Sequence, residues 1–142
     1  MANRIYTQSE HDAVVQASAE TYNQLIQQGY RVTTNPGSER NQQVGSGNYP
    51  DIVVWKPDPL NPTKGTAVII EEIETQDTVT SQEAAQWKKY GNLSVKFILL
   101  VPAAKSREAF ALVQMEAVKV AEIWSYEERA GRYLFNKVFT LS

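Results

Sequence analysis

The chain of 142 residues has no cysteine and only one histidine, His11. Without cysteine it can form neither disulfides nor thiolate metal sites, and it has no cysteine nucleophile. The single histidine also argues against a zinc site built from several histidines. Zinc-finger and thiol-enzyme chemistry are therefore excluded as functions.

Long apolar runs and a strong charge of either sign are also lacking. No run approaches the roughly 20 apolar residues that cross a bilayer, and the polar N-terminus does not resemble a signal peptide, so we expect a cytoplasmic protein without membrane contact. The net charge is −2, which means that any contact with nucleic acid needs a local basic patch. With 42% hydrophobic and 21% charged residues, the chain is expected to form one globular domain over residues 1–142.

Residues 50–75 form the segment around which the rest is organised. Its two ends, residues 50–55 and 67–75, are rich in β-branched and aromatic residues and are predicted to be strands. Residues 56–65 between them are dense in turn formers and are predicted to end both strands. In an antiparallel hairpin that places Trp55 opposite Val68, Asp51 lies opposite Glu72.

This pairing brings two carboxylates together. Directly opposed residues have Cβ atoms roughly 5 Å apart, and two carboxylates at that distance repel each other. A shared divalent cation explains the arrangement, since Mg²⁺ favours carboxylate oxygens. Strand alternation places Glu74 on the same face as Glu72, and Glu71 on the other face. At this point two interpretations stay open: the acids either emerge into solvent or line a site.

The segments before this hairpin are a helix, a strand and a long loop. A helix is predicted over residues 9–28, with Ser9 as N-cap and Gly29 after its end, and His11 near its apolar stripe is interpreted as a packing or capping residue. A strand follows at residues 30–34. The loop of residues 35–49 is rich in small residues and carries Arg40, so it is either a phosphate-contacting loop or an ordinary surface loop.

After the hairpin, a helix is predicted over residues 82–90, with Thr80 or Ser81 as its cap. Lys88 and Lys89 lie in its last turn, where they either complement the helix dipole or contact phosphate. A buried strand at residues 95–101, a helix at 106–119 and a terminal hairpin of residues 121–126 and 132–141 complete the chain.

The resulting order is α, β, β, β, α, β, α and a β-hairpin. With Pro50-Asp51 opening one strand and Glu72-Ile73-Glu74 closing the next, the chain resembles the PD-(D/E)XK nuclease superfamily, and residues 29–53 look most like the archaeal Holliday-junction resolvases. Residues 86–90 are similar to the Gln-x-x-x-Tyr motif of RecB-like branches. The resemblance implies an α/β fold with a restriction endonuclease-like αβββαβ core, a central mixed sheet flanked by helices, followed by a C-terminal helix and β-hairpin.

The resemblance also implies roles for individual residues. Asp51 and Glu72 would hold Mg²⁺ or Mn²⁺, together with the carbonyl of Ile73. Glu20 on the first helix would lie near the same metal, although its position on that helix equally fits a solvated face. The residues implied or proposed to contact DNA are Ser38, Arg40, Gln86 and Tyr90.

The sequence departs from this superfamily at one position, because Glu74 stands where the catalytic lysine belongs. Three outcomes are open: Glu74 serves as base or ligand, Lys88 or Lys89 replaces the lysine, or activity is lost. Two functions follow. One is a Mg²⁺-dependent DNA endonuclease, expected to be a homodimer because resolvases pair to cut both strands. The other is a catalytically inactive nuclease-fold protein that acts as a binding or regulatory module.

Overall fold

The structure, a computed structural model, describes residues 6–35, 44 and 47–141, and only the backbone of residues 62–64. Within these residues the fold is mixed α/β, with four α-helices and one six-stranded sheet. The helices are α1 (Gln8–Glu20), α2 (Asn23–Gln27), α3 (Ser81–Gly91) and α4 (Ser106–Met115). The strands are β1 (Arg31–Thr34), β2 (Ile52–Asp58), β3 (Asn61–Ile73), β4 (Lys96–Pro102), β5 (Glu122–Arg129) and β6 (Arg132–Thr140).

The strands lie in the sheet in the order in which they occur in the chain, β1-β2-β3-β4-β5-β6. β1, β2 and β3 form an antiparallel meander, and β6 pairs with β5 as an antiparallel hairpin. β3, β4 and β5 are parallel to one another, and the connections between them carry α3 and α4. The sheet is therefore mixed, with a parallel centre and antiparallel edges.

Each face of the sheet has its own core. On one face, here called the α1 face, Val14 and Val15 pack against Ile52, Ile73 and Leu100. On the other, the α3 face, residues of α3 and α4 pack against the alternate side chains of the same strands. The buried members that α3 and α4 contribute are Ala84, Trp87, Tyr90, Ala109 and Val113. No helix in the described part of the chain is long and apolar enough to cross a membrane.

The predicted first helix is in fact two helices. α1 begins at Gln8 after Thr7, so the prediction of Ser9 as N-cap is wrong. α1 ends at Glu20. There the Thr21 hydroxyl donates to the Ser18 carbonyl at 2.6 Å, and the next backbone amides donate to carbonyls three residues earlier instead of four. Such local side-chain hydrogen bonds compete with the helix ladder. Gly29 follows α2 with φ +95°, which confirms the predicted left-handed position after the helix end.

The predicted loop between β2 and β3 is also different. The two strands continue to Asp58 and from Asn61, which leaves a tight hairpin tip. β1 covers β2 only as far as Trp55, and β4 covers β3 only from Ile69 onward. Beyond these points the ribbon has two strands with open edges, where proline is tolerated. A bulge shifts the register after Val54, so Trp55 lies opposite Ala67 rather than Val68.

The C-terminal part agrees more closely with the prediction. α4 ends at Met115 instead of residue 119, because Ala117 adopts φ +53° and the Val118 amide bonds back to the Val113 carbonyl. This is a Schellman-type helix end at a residue other than glycine. The terminal hairpin is confirmed, and its turn residues Ala130 and Gly131 both have positive φ, as a two-residue type I′ turn requires.

Candidate functional site

Asp51 and Glu72 meet at one end of the sheet. The predicted register holds from Ile52, which pairs with Glu71, to Val54. Continuing it by one residue places Asp51 opposite Glu72, close enough for each carboxyl to shift the pKa of the other. Both residues are buried, with 7% and 8% of their surface exposed. The carboxyl pair is therefore an interior feature of the fold.

The two carboxyls of this pair differ in their ionisation. Burial and the neighbouring charges of Asp51 and Glu74 raise the pKa of Glu72 well above its usual range. Burial also acts to raise the pKa of Asp51, but the close approach of Glu72 and His11 and the hydrogen bond from the Ile73 amide outweigh it, and the pKa of Asp51 is lowered. Two like charges in contact cannot both ionise cheaply. The pKa values of the two carboxyls are therefore shifted in opposite directions, and Glu72 is the more easily protonated of the two.

His11 is the partner of Asp51 from α1. Its Nε2 lies 3.2 Å from Asp51 Oδ1, and its Nδ1 lies 3.1 Å from Asp12 Oδ1. The ring is fully buried. The sequence interpretation of His11 as a packing or capping residue missed this contact. A signal was present, because His11, Val14, Val15 and Ser18 are the buried residues of α1 at helical spacing.

Glu74 occupies the position of the lysine in the superfamily pattern. It is 1% exposed, and its Oε2 accepts a hydrogen bond of 2.7 Å from the indole Nε1 of Trp87. Its backbone carbonyl accepts from the Tyr126 hydroxyl at 2.9 Å. α3 and β5 therefore both anchor this residue. The role of Trp87 was not found from the sequence, which drew attention to Gln86 and Tyr90 on either side of it.

Gln86 and Tyr90 border the carboxyl pair, as the resemblance implies. Tyr90 is buried, and Gln86 Nε2 donates to its hydroxyl at 2.9 Å. Burial and the nearby charge of Glu72 raise the pKa of Tyr90. The two residues thus lie beside the metal-ligand candidate on the α3 face.

Other predicted site residues lie elsewhere. Lys88 and Lys89 are exposed on α3. Within the described residues, neither makes an ion pair with Asp51, Glu72 or Glu74. Glu20 is exposed on α1, where its carboxylate accepts from Gln16 at 3.4 Å, so the structure does not bring it to the pair. Two further predicted residues, Ser38 and Arg40, lie outside the described residues.

The ligands available to a hard divalent cation at this site are the two carboxyls of Asp51 and Glu72. Mg²⁺ is commonly held by one or two carboxylates while it keeps several waters, and Asp51 with Glu72 supplies such a pair. In the part of the chain that is described, no group of three acidic or histidine side chains is arranged to hold a metal. Ile73 contributes its amide to Asp51 Oδ2 at 2.9 Å, and its carbonyl as a ligand stays a prediction.

Glu71, next to Glu72 in the chain, faces the opposite side of the sheet. It is 3% exposed and accepts hydrogen bonds from the Ser18 hydroxyl and, at 2.7 Å, from the Tyr22 hydroxyl. Burial raises its pKa, and these two hydrogen bonds oppose the rise. The strand therefore presents adjacent carboxyls to two separate environments.

Comparison of the chain with protein-family models, with curated proteins and with solved structures gives no match.

Proposed function

We propose that the chain is a metal-dependent DNA endonuclease whose site is built on Asp51, Glu72 and Glu74. The observation that carries the proposal is the buried position of Asp51 and Glu72 opposite each other, where the register of the antiparallel strands β2 and β3 brings them together. The order of elements supports it, because an antiparallel β1-β2-β3 meander followed by α3 and the parallel strand β4 is what a restriction endonuclease-like αβββαβ core requires.

The carboxylates of the site would bind the metal ion, and their neighbours would fix the positions of the carboxylates. Mg²⁺, when bound, would supply an activated water and relief of charge on the phosphate. Asp51 is held for this role by the Ile73 amide and lies 3.2 Å from His11, and Glu72 lies near Tyr90. Glu74, held by Trp87, is the carboxylate that would accept a proton from water where other members of the superfamily use lysine.

A second candidate is a nuclease-fold protein that binds without cutting. One observation favours it: no lysine or arginine of the described residues pairs with Asp51 or Glu72, and Lys88 and Lys89 are exposed. Two acids without such a cation concentrate negative charge beside a polyanion. In this function the acids are a structural network, and a DNA or protein partner binds elsewhere. The homodimer is a prediction that belongs to the endonuclease and rests on the resemblance alone.

Calorimetric titration with Mn²⁺ tests whether the carboxyl pair is a metal site. We expect saturable binding to the wild-type chain, and a loss of at least about tenfold in affinity in Asp51→Asn and Glu72→Gln, because each variant removes one carboxylate ligand. Glu71→Gln is the matched control, since it changes the adjacent and equally buried carboxyl on the other face. Binding in this control should stay within about twofold of the wild type.

Cleavage assays then separate the two candidates. Branched, linear and single-stranded DNA would be incubated with Mn²⁺, with and without a chelator. Cleavage that requires Mn²⁺ and is lost in Asp51→Asn supports the endonuclease. Absence of cleavage of any substrate, with or without saturable metal binding, supports the binding protein. Absence of saturable metal binding in the wild type, or binding that Asp51→Asn leaves unchanged, overturns the metal site.

A further inference from the structure

A cleft of about 300 Å³ lies on the α1 face, on the other side of the sheet from the Asp51–Glu72 pair. Its volume falls at the lower end of the range of about 300–1,000 Å³ that small-molecule sites occupy. The cleft floor is apolar and aromatic, and it is made by residues of four neighbouring strands. These residues are Ile69, Ile98, Leu100, Trp124 and Phe135.

One carboxyl group lies at the inner end of this cleft. Glu71 accepts hydrogen bonds from Ser18 and Tyr22, one at each oxygen, and among the described residues no lysine or arginine pairs with it. A carboxylate offers about four lone-pair sites, so each oxygen keeps capacity for a further donor. A planar group with adjacent N–H donors is the complement of such an acceptor.

The mouth of the cleft carries the opposite charge. Lys96 and Glu122 line the cleft there, and Lys137 lies beside them. Lys96 Nζ and Lys137 Nζ share one oxygen of Glu122, at 3.2 and 3.7 Å. Two ammonium groups thus face one carboxylate, which leaves an excess of positive charge at the mouth. Lys137 Nζ also lies 5.9 Å from the centre of the Trp124 ring. An anionic group would therefore be attracted to the side of the cleft where Trp124 lies.

The sheet register fixes how these two ends are spaced. Glu71, Ile98 and Glu122 lie in one row across β3, β4 and β5. Glu122 is thus two inter-strand spacings from Glu71, about 10 Å across the sheet, and the Nζ atoms of Lys96 and Lys137 lie at Glu122. The acceptor and the cationic mouth are therefore separated by a distance comparable with the length of a nucleoside.

We propose that this cleft binds a nucleoside monophosphate. The base lies on the apolar floor against Trp124, its N–H edge donates to Glu71, and its phosphate lies at Lys96 and Lys137. Carboxylates accept hydrogen bonds from base amino groups, and the stacking of a base on an aromatic ring contributes about 1–3 kcal/mol. The proposal does not depend on the proposed nuclease function, because none of its residues belongs to the Asp51–Glu72 pair.

Calorimetric titration of the full chain with GMP, AMP, CMP and UMP tests the proposal. At least one of the first three should bind saturably, and UMP, whose single N–H lies between two carbonyls, should bind at least about tenfold more weakly. The nucleoside without phosphate should lose about tenfold in affinity, and inorganic phosphate alone should bind more weakly still.

Variants assign the binding to the cleft. Glu71→Gln should weaken the nucleotide by at least about tenfold, and Lys96→Met should abolish the difference between nucleotide and nucleoside. Glu72→Gln, on the other face, is the matched control and should bind as the wild type does. If Glu71→Gln does not fold, Trp124→Leu at the half-buried floor takes its place, with the same loss expected.

The proposal is overturned by any of three results. No nucleotide binds to the wild type, or UMP binds as tightly as the other three, or binding survives both Glu71→Gln and Trp124→Leu. Nucleotide binding in the cleft does not require Mn²⁺ binding at the carboxyl pair. Failure of the nuclease proposal and failure of the nucleotide proposal are therefore distinguishable.

Discussion

At the scale of single residues, the end of β3 divides three acids between two environments. Glu72 and Glu74 face α3. Glu72 lies near Tyr90, and Glu74 accepts a hydrogen bond from Trp87. Glu71 faces α1 and is bound by hydroxyl groups. Because a strand turns each successive side chain to the other face, this division follows from the sequence once the strand is placed. Because of this division, Glu71→Gln can serve as the control for Glu72→Gln, and the reverse.

The indole of Trp87 is predicted to stabilise the fold through its hydrogen bond to Glu74. Trp87→Phe keeps most of the ring volume but removes the donor at a buried carboxylate oxygen, which should cost about 1–3 kcal/mol. Trp55→Phe is the matched control, because Trp55 donates to the neutral Thr33 hydroxyl in a half-buried position. Urea unfolding would measure both. Equal free energies of unfolding in the two variants would contradict the role assigned to Trp87.

The contacts of His11 and Trp87 show where prediction from sequence stops at this scale. The pairing of Asp51 with Glu72 needed only a hairpin and its register, which are local. The approach of His11 to Asp51 requires α1 to pack on the sheet with one rotation about its own axis. That rotation is set by the burial of Val14 and Val15 against residues far along the chain, which one sequence does not show.

At the scale of elements, most of the predicted strands and helices are present, and the errors occur where one element ends. Helix α1 ends where the hydroxyl of Thr21 bonds to a backbone carbonyl. Strands β2 and β3 continue past Pro57 as a two-stranded ribbon, and within the described residues no further strand pairs with it there. Turn formers predict a chain reversal correctly, but they do not decide how far a two-stranded ribbon extends before it.

The end of α3 is predicted to depend on the absence of a side chain at Gly91. A Cβ at this position would lie 2.4 Å from the Lys119 carbonyl oxygen, which is backbone and cannot rotate away. Alanine in place of glycine normally stabilises a helix by about 0.4–1 kcal/mol, whereas overpacking costs about 1–3 kcal/mol. Gly91→Ala should therefore lower the free energy of unfolding by about 1 kcal/mol or more.

Lys88→Ala, at an exposed position of the same helix, is the control and should change the free energy of unfolding by less than about 0.5 kcal/mol. Thermal unfolding followed by circular dichroism would measure both variants. A more stable Gly91→Ala variant would contradict the prediction, because it would show that α3 and the segment before β5 can move apart without loss of stability.

At the scale of the whole molecule, the sequence predicted a mixed α/β fold, and the structure has one. The hydrophobic run of β4 predicted a central strand, and β4 lies between two parallel neighbours. The sequence did not predict the cleft on the α1 face. That cleft arises from how far α1 covers a sheet of six strands, which depends on helix length and on the position of the break at Thr21.

The buried acids should make the stability of the whole molecule fall as the pH rises above about 5. Burial and nearby charge raise the pKa of Glu72, and burial raises that of Glu71, from an ordinary value of 4.5. Between the ordinary and the raised pKa the folded chain binds more protons than the unfolded chain, so its free energy of unfolding decreases with pH. Asp51 has a lowered pKa, so its contribution is lost only as the pH falls below its ordinary value of 3.8.

Urea unfolding at pH 5 and pH 8 would measure this slope. Glu72→Gln leaves unchanged the titratable groups around Glu72, which are Asp51, Glu74 and Tyr90, with His11 against Asp51. The free energy of unfolding of this variant should therefore decrease less between pH 5 and pH 8 than that of the wild type, because only the contributions of the other groups remain. Glu10→Gln, at an exposed position of α1, should retain the full decrease. If Glu72→Gln and the wild type lose equal stability from pH 5 to pH 8, the raised pKa of Glu72 is not a feature of the folded chain.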